Sequence, residues 1–174
     1  FTYGWFQIKD GKIKPKFVRN RLIRPVHTDV PVEYATFLQM HQQYEPPWNK
    51  TWQLYYWQML VPNGEYDIRI VSGDADNRLV NQHSSGRQGG WVPEEHQYKI
   101  KVENEVIVDG LPGATHTQEV HFMNGMLPDP NPWVEGRGTI TVTDDTLTIS
   151  NIDGQNLNKI SFVEFAPKGY LIPV

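Results

Sequence analysis

The chain has 174 residues, a length that suits a single domain able to bury a hydrophobic core. Hydrophobic residues make up 39% of it and charged residues 21%, and the net charge of −4 argues against nucleic acid as a partner. Cysteine is absent, so disulfides, thiolate-bound metals and cysteine nucleophiles are excluded. No apolar run approaches the roughly 20 residues that a membrane-spanning helix requires.

Short elements separated by turns are predicted throughout, because glycine and proline number 14 and 13. In chain order, residues 32–43 have a weak helical period. Residues 52–61 are apolar on both faces, as in a central strand. Residues 65–71 alternate between apolar and polar side chains and predict a half-buried strand.

Two pairs of alternating runs in the second half predict β-hairpins. Residues 97–102 turn into residues 106–108, and residues 139–143 turn into residues 146–150 across Asp144-Asp145. Residues 159–165 again have apolar side chains on both faces, which predicts another central strand.

Long polar stretches at residues 74–95 and 111–132 contain glycine and proline and are predicted to be loops. Many short strands with long connections describe an all-β fold, an antiparallel β-sandwich with long loops.

A family resemblance rests on several short phrases that follow one another along the chain. They include Tyr3-Gly4-Trp5, Gln39-Met40-His41, the run VPNGEY at residues 61–66, Ser72-Gly73-Asp74, Trp133-Val134-Glu135-Gly136 and the run NKISFVE at residues 158–164. In these phrases the chain resembles the malectin-like and galactose-binding-domain-like carbohydrate-binding modules of secreted bacterial proteins.

The resemblance implies a jelly-roll β-sandwich that is galactose-binding-domain-like, extracellular and not an enzyme. Residues 1–165 would form this domain. The resemblance also implies one more strand ahead of Tyr3 than the chain supplies. We therefore expect the C-terminal tail, residues 166–174, to act as a strand donor, either to its own sandwich or to a neighbouring copy.

Aromatic side chains in loops are candidates for stacking on sugar rings, because an aromatic face matches the C–H face of a sugar. Trp48, Trp91 and Trp133 lie beside proline or glycine and are predicted carbohydrate-binding residues, with core packing as the alternative. Arg87 lies shortly before Trp91 and is predicted to add a planar donor, unless its loop is only a surface segment. Trp5, Trp52 and Trp57 lie in strand-like patterns and are predicted to be structural.

Paired carboxylates follow the strand predicted at residues 65–71. Asp74 and Asp76 are candidate ligands of a structural calcium ion, with ordinary turn chemistry as the alternative. The sequence has no nucleophile elbow, phosphate-binding glycine loop or zinc-protease helix. We therefore expect no enzymatic activity.

Together these features predict a non-catalytic, extracellular, lectin-like module whose partner is a polysaccharide or other glycan. The alternative is a structural subunit of an extracellular filament, tube or sheath. In that case copies of the chain would form a homo-polymer through their termini. Neither prediction includes a nucleic acid partner or a membrane span.

Overall fold

A computed structural model describes residues 3–9, 12–15, 34, 38–42, 53–73, 97–110, 133–151 and 158–170. The described residues form twelve strands. These are β1 (Tyr3–Lys9), β2 (Lys12–Pro15), β3 (Leu38–Gln39), β4 (His41–Gln42), β5 (Gln53–Leu60), β6 (Gly64–Gly73), β7 (Tyr98–Val102), β8 (Glu105–Gly110), β9 (Trp133–Val142), β10 (Thr146–Asn151), β11 (Lys159–Ile160) and β12 (Phe162–Pro167). The predicted all-β fold is confirmed.

Two antiparallel sheets make up most of this structure. The large sheet has the strand order β2-β1-β5-β10-β7-β8, and β4 pairs with β5 beside this path. The small sheet has the order β12-β6-β9, and β11 pairs with β3. No helix within the described ranges is both long and apolar enough to cross a bilayer.

A single hydrophobic core lies between the sheets, because alternate residues of both sheets point to it. Trp5 and Trp57, which pair across β1 and β5, pack against this core as predicted. Its buried members are Met40, Val61, Tyr66, Ile68, Ile70, Tyr98, Ile100, Val102, Ile107, Val108, Ile140, Val142, Leu147, Ile149 and Ile160. The predicted antiparallel sandwich is thus confirmed, whereas its jelly-roll strand order stays a prediction.

The strand predicted at residues 65–71 is β6, and the hairpin predicted at residues 97–108 is the β7–β8 pair. The second predicted hairpin is wrong in its pairing. β9 pairs with β6 in the small sheet, whereas β10 pairs with β5 and β7 in the large sheet. The turn at Asp144-Asp145 therefore carries the chain from one sheet to the other. Both strands alternate with the same period whether they pair or face each other across a core, so periodicity does not separate the two cases.

Two other local predictions are corrected by the pairing. Residues 159–165 are not a central strand, because β12 lies at the edge of the small sheet in the part of the chain that the structure describes. Residues 38–42 form strands β3 and β4, so the weak helical period of residues 32–43 does not produce a helix there.

The C-terminal tail begins inside a strand, since β12 continues to Pro167. The next residues also bind β6: the Lys168 N–H donates to the Glu65 carbonyl at 3.0 Å, and the Gly169 N–H donates to Asp67 Oδ2 at 2.7 Å. The tail is therefore held on its own sandwich as far as Gly169. The remaining tail residues 171–174, for which strand donation was predicted, lie outside the described residues.

The two sheets approach each other closely where β8 passes β9 at Gly136. A Cβ atom at Gly136 would lie 1.8 Å from the backbone oxygen of Ile107, far inside van der Waals contact. At Gly138 a Cβ atom would meet only the end of the Ile107 side chain, at 2.6 Å. Position 136 therefore requires glycine, because any Cβ atom would collide with the backbone of β8. At position 138 the Ile107 side chain can move to make room for a Cβ atom.

We predict that Gly136→Ala lowers the free energy of unfolding by at least about 3 kcal/mol, because β8 and β9 must separate. Gly138→Ala is the matched control and should cost clearly less, since the Ile107 side chain can change rotamer. Urea denaturation of the three proteins measures both effects. Equal losses for the two variants would contradict this account of the crossing.

Candidate functional site on the outer face of the large sheet

Most of the predicted site residues lie outside the described residues. These are Trp48, Asp74, Asp76, Arg87 and Trp91. Their roles in sugar and calcium binding stay predictions. Among the residues that the structure does describe, no group of three histidine, aspartate or glutamate side chains is arranged to hold a metal ion.

Trp133 is described, and its predicted loop position is wrong. It is the first residue of β9, opposite Gly73 of β6, and its side chain is only 3% exposed. Tyr34 covers it edge-on with ring centroids 5.4 Å apart, and the indole N–H donates to the Tyr34 carbonyl at 3.2 Å. A ring covered in this way offers no free face to a sugar, so Trp133 has the alternative role of core packing. The glycines at positions 136 and 138 interrupt the apolar alternation of β9 and hid this strand in the sequence.

Aromatic side chains do meet elsewhere, on the outer face of the large sheet. Phe6 of β1 pairs with Tyr56 of β5, and both point away from the core because Trp5 and Trp57 point into it. Their rings are stacked, with centroids 5.9 Å apart and an interplanar angle of 25°. Both side chains are partly exposed. They form an aromatic pair of the kind that can support a sugar ring.

Polar groups and an open space adjoin this pair. Gln58 lies two residues along β5, and its Nε2 donates to the Thr148 hydroxyl of β10 at 3.0 Å. Gly4 is opposite Gln58 on the other side, in β1. Among the described residues, a Cβ atom at Gly4 would meet only the Phe6 ring, at 3.7 Å, so no described side chain fills the surface beside that ring, which we call the bare surface. The Gln58 carbonyl oxygen and the Thr148 O–H remain to bind a ligand over this bare surface.

The Tyr56 hydroxyl is not part of the open surface. Its oxygen is buried and has no hydrogen-bond partner, and burial raises the pKa of the phenol. A buried hydroxyl without a partner costs about 1–3 kcal/mol, and because solvent does not reach it, it is not offered to a ligand. Any contact of Tyr56 with a ligand on this face is therefore assigned to its ring and not to its hydroxyl.

A charged cluster occupies the outer face of the small sheet. Arg69 of β6 forms ion pairs with Glu135 of β9 at 2.9 Å and with Glu164 of β12 at 2.8 Å. Glu135 also accepts from Arg137 Nε at 2.5 Å. The guanidinium of Arg69 lies 5.1 Å from the Phe162 ring centroid.

This cluster neutralises itself, with two acidic and two basic side chains. Hydrogen bonds from Arg69 are the main cause that lowers the pKa of Glu135, with burial opposing it and Arg137 adding to it. The bond to Glu135 likewise raises the pKa of Arg69. The acidic and basic side chains of the cluster form ion pairs with one another, so we assign this face a structural role.

Sequence reasoning missed the aromatic pair because it depends on pairing between distant strands. Residues 53–60 have aromatic or apolar side chains on both faces, and nothing local shows which face is covered. The signal that was available is the tyrosine-glycine-tryptophan-phenylalanine run at the start of the chain, whose alternation places Gly4 and Phe6 together on one face.

We predict that Glu135→Gln lowers the free energy of unfolding by about 1–3 kcal/mol at neutral pH, because Arg69 and Arg137 both lose the carboxylate that they share. The folded-state pKa of Glu135 is lowered, so its contribution is complete above the ordinary value of 4.5 and is lost as the pH falls below it. The difference between variant and wild type should therefore shrink in acid.

Urea denaturation at neutral and acidic pH measures this difference. Glu65→Gln is the matched control, since Glu65 pairs with Lys168 at 2.9 Å but both side chains are more than half exposed. Its effect should be close to zero. Equal effects of the two substitutions at neutral pH would contradict the role given to the Arg69 cluster.

Comparison with known proteins does not assign this chain to a family. No protein-family model matches it, and no curated protein matches it either.

Proposed function

We propose that the protein is a non-catalytic, extracellular carbohydrate-binding module that binds a glycan on the outer face of its large sheet. The observation that carries this proposal is the stacked Phe6–Tyr56 pair beside the bare surface at Gly4. The resemblance of the sequence to galactose-binding-domain-like modules supports the same function. We also propose the jelly-roll strand order of those modules for this sandwich.

The chemistry of the face supports binding rather than catalysis. The side chains of Phe6, Gln58 and Thr148 carry an aromatic ring, an amide and an aliphatic hydroxyl. None of these groups ionises near neutral pH, so none is suited to act as a general acid or base. They do match a sugar, which presents apolar C–H groups on one face and hydroxyl groups around its rim. The proposal therefore assigns these side chains to recognition.

The expected affinity for a short oligosaccharide is low. A stacked ring and two or three neutral hydrogen bonds contribute about 1 kcal/mol each. Their sum corresponds to a dissociation constant of about 1 mM. A polysaccharide that offers many sites would be retained more strongly, through avidity. Affinity electrophoresis in gels that contain a polysaccharide is therefore the suitable assay.

We predict that Gly4→Thr weakens retention by a polysaccharide about tenfold or more, because the new side chain fills the bare surface beside Phe6. The fold should tolerate it, since a Cβ atom there makes only an ordinary contact at 3.7 Å and threonine suits a strand better than glycine. Phe6→Ala should weaken retention as well, by removing the stacking ring. Thermal unfolding monitors the fold of both variants.

Thr141→Val is the control, because Thr141 is exposed on the outer face of the small sheet. It should leave retention unchanged. If the polysaccharide retains Gly4→Thr and Phe6→Ala as strongly as the wild type, the binding site lies in another part of the molecule. A wild type that no polysaccharide retains would reject the function itself.

A structural subunit is a second candidate function, and the end of the described tail favours it. Tyr170 is 78% exposed, although Lys168 and Gly169 directly before it are hydrogen-bonded to β6. β12, which leads into this segment, lies at the edge of the described small sheet. An exposed aromatic next to an edge strand is a suitable contact for a neighbouring copy.

For this second function we predict polymers whose size increases with protein concentration, measured by sedimentation velocity. Tyr170→Ser would abolish them without changing the melting temperature, because Tyr170 is exposed and Lys168 and Gly169 keep their bonds to β6. A wild type that stays monomeric at the highest concentration reached would exclude assembly through the tail.

A further inference from the structure

We propose that the glycan lies across the strands of the large sheet and has an anionic substituent, which Lys101 binds. This inference rests on the proposed function and names the substrate class of the same face. It starts from one row of side chains that crosses the sheet from β2 to β8.

The strand register sets the order of this row. Phe6 pairs with Pro15 on one side and with Tyr56 on the other. β10 continues the row with Ser150, because Ile149 is opposite Trp57. Ser150 in turn pairs with Lys101 of β7. Phe6, Tyr56, Ser150 and Lys101 lie on the outer face of the sheet, since their chain neighbours Trp5, Trp57, Ile149 and Ile100 belong to the core or pack against it.

The spacing of the row fits a short stretch of polysaccharide. Neighbouring strands are about 4.8 Å apart, so Lys101 is about 10 Å from Tyr56 and about 14 Å from Phe6. A glycan whose first ring stacks on the aromatic pair therefore has its next one or two rings over Ser150 and Lys101. The end of the row then meets a positive charge, which complements a carboxylate or a sulfate group.

Lys101 is available for this contact, whereas its neighbour on the same strand is not. Lys99, on the same face of β7, pairs with Asp109 at 3.8 Å. Lys101 is partly exposed and forms no ion pair with a described residue. It pairs across the ladder with Val106, which is apolar and 52% exposed.

One carboxylate near this row already accepts a hydrogen bond. Glu103 accepts a hydrogen bond from the Thr148 N–H at 2.5 Å, in the row that contains Gln58. That row lies two residues away along β10, which is about 7 Å. An anionic group at Lys101 thus meets the lysine before it meets Glu103.

The test compares polygalacturonate, its fully methyl-esterified form and a sulfated galactan in affinity electrophoresis. Esterification removes the charge and leaves the sugar chain unchanged. We expect the wild type to bind a charged polymer about fivefold or more tightly than the ester, and Lys101→Gln to remove that preference. Lys99→Gln has the same charge change and should alter binding less than about twofold, because Lys99 is paired.

Each outcome decides the inference. Preference for polygalacturonate identifies a carboxylate and preference for the galactan a sulfate. Equal binding of the free acid, the ester and the galactan would overturn the inference while leaving the proposed function intact. Equal effects of Lys101→Gln and Lys99→Gln would also overturn it. A wild type that binds none of these three polymers but is retained by a neutral polysaccharide would overturn the inference and leave the proposed function intact, whereas a wild type that no polysaccharide retains would reject both.

Discussion

The buried amide side chains of Asn151 and Asn158 fix the strands on which the candidate site depends. Asn158 is fully buried, and its side chain accepts from the Lys99 N–H at 2.7 Å and donates to the Lys99 carbonyl at 2.6 Å. It also donates to Asn151, whose amide donates in turn to the carbonyls of Met40 and Tyr55. Strands β5, β7 and β10 are joined by these bonds at one end of the sheet. Loss of one partner would leave several buried polar groups unsatisfied, each at a cost of about 1–3 kcal/mol.

This network gives the two faces of the large sheet their different characters. A slip of one residue would turn Tyr56 and Lys101 into the core and Trp57 out of it, so the fixed register is what aligns the outer row. The outer face of the small sheet is organised differently, because Arg69, Arg137, Glu135 and Glu164 form ion pairs that leave no net charge, although Arg69 Nε is buried without a hydrogen-bond partner. The large sheet instead has an aromatic pair beside partly exposed polar side chains, and this difference leads us to propose recognition there.

Strands were predictable from the sequence because alternation is a local property, and β6 and the β7–β8 hairpin follow it closely. Which strands pair with each other was not predictable, because β9 and β10 have the same pattern whether they pair or lie in separate sheets. The burial of Trp133 was not predictable either, because Tyr34, which covers it, is 99 residues away in the sequence. The aromatic pair likewise joins two residues that are distant in the sequence, so Phe6 and Tyr56 were visible but their contact was not.

Amide chemical-shift mapping tests the central claim most directly, with an oligosaccharide of a retained polysaccharide titrated into isotope-labelled protein. The account predicts that the largest shifts occur at Gly4, Phe6, Tyr56 and Gln58, with Ser150 and Lys101 following if the glycan crosses the sheet. Residues of β6, β9 and β12 should change little. Shifts confined to those three strands, or to residues 74–95 and 111–132, would contradict a binding site on the outer face of the large sheet.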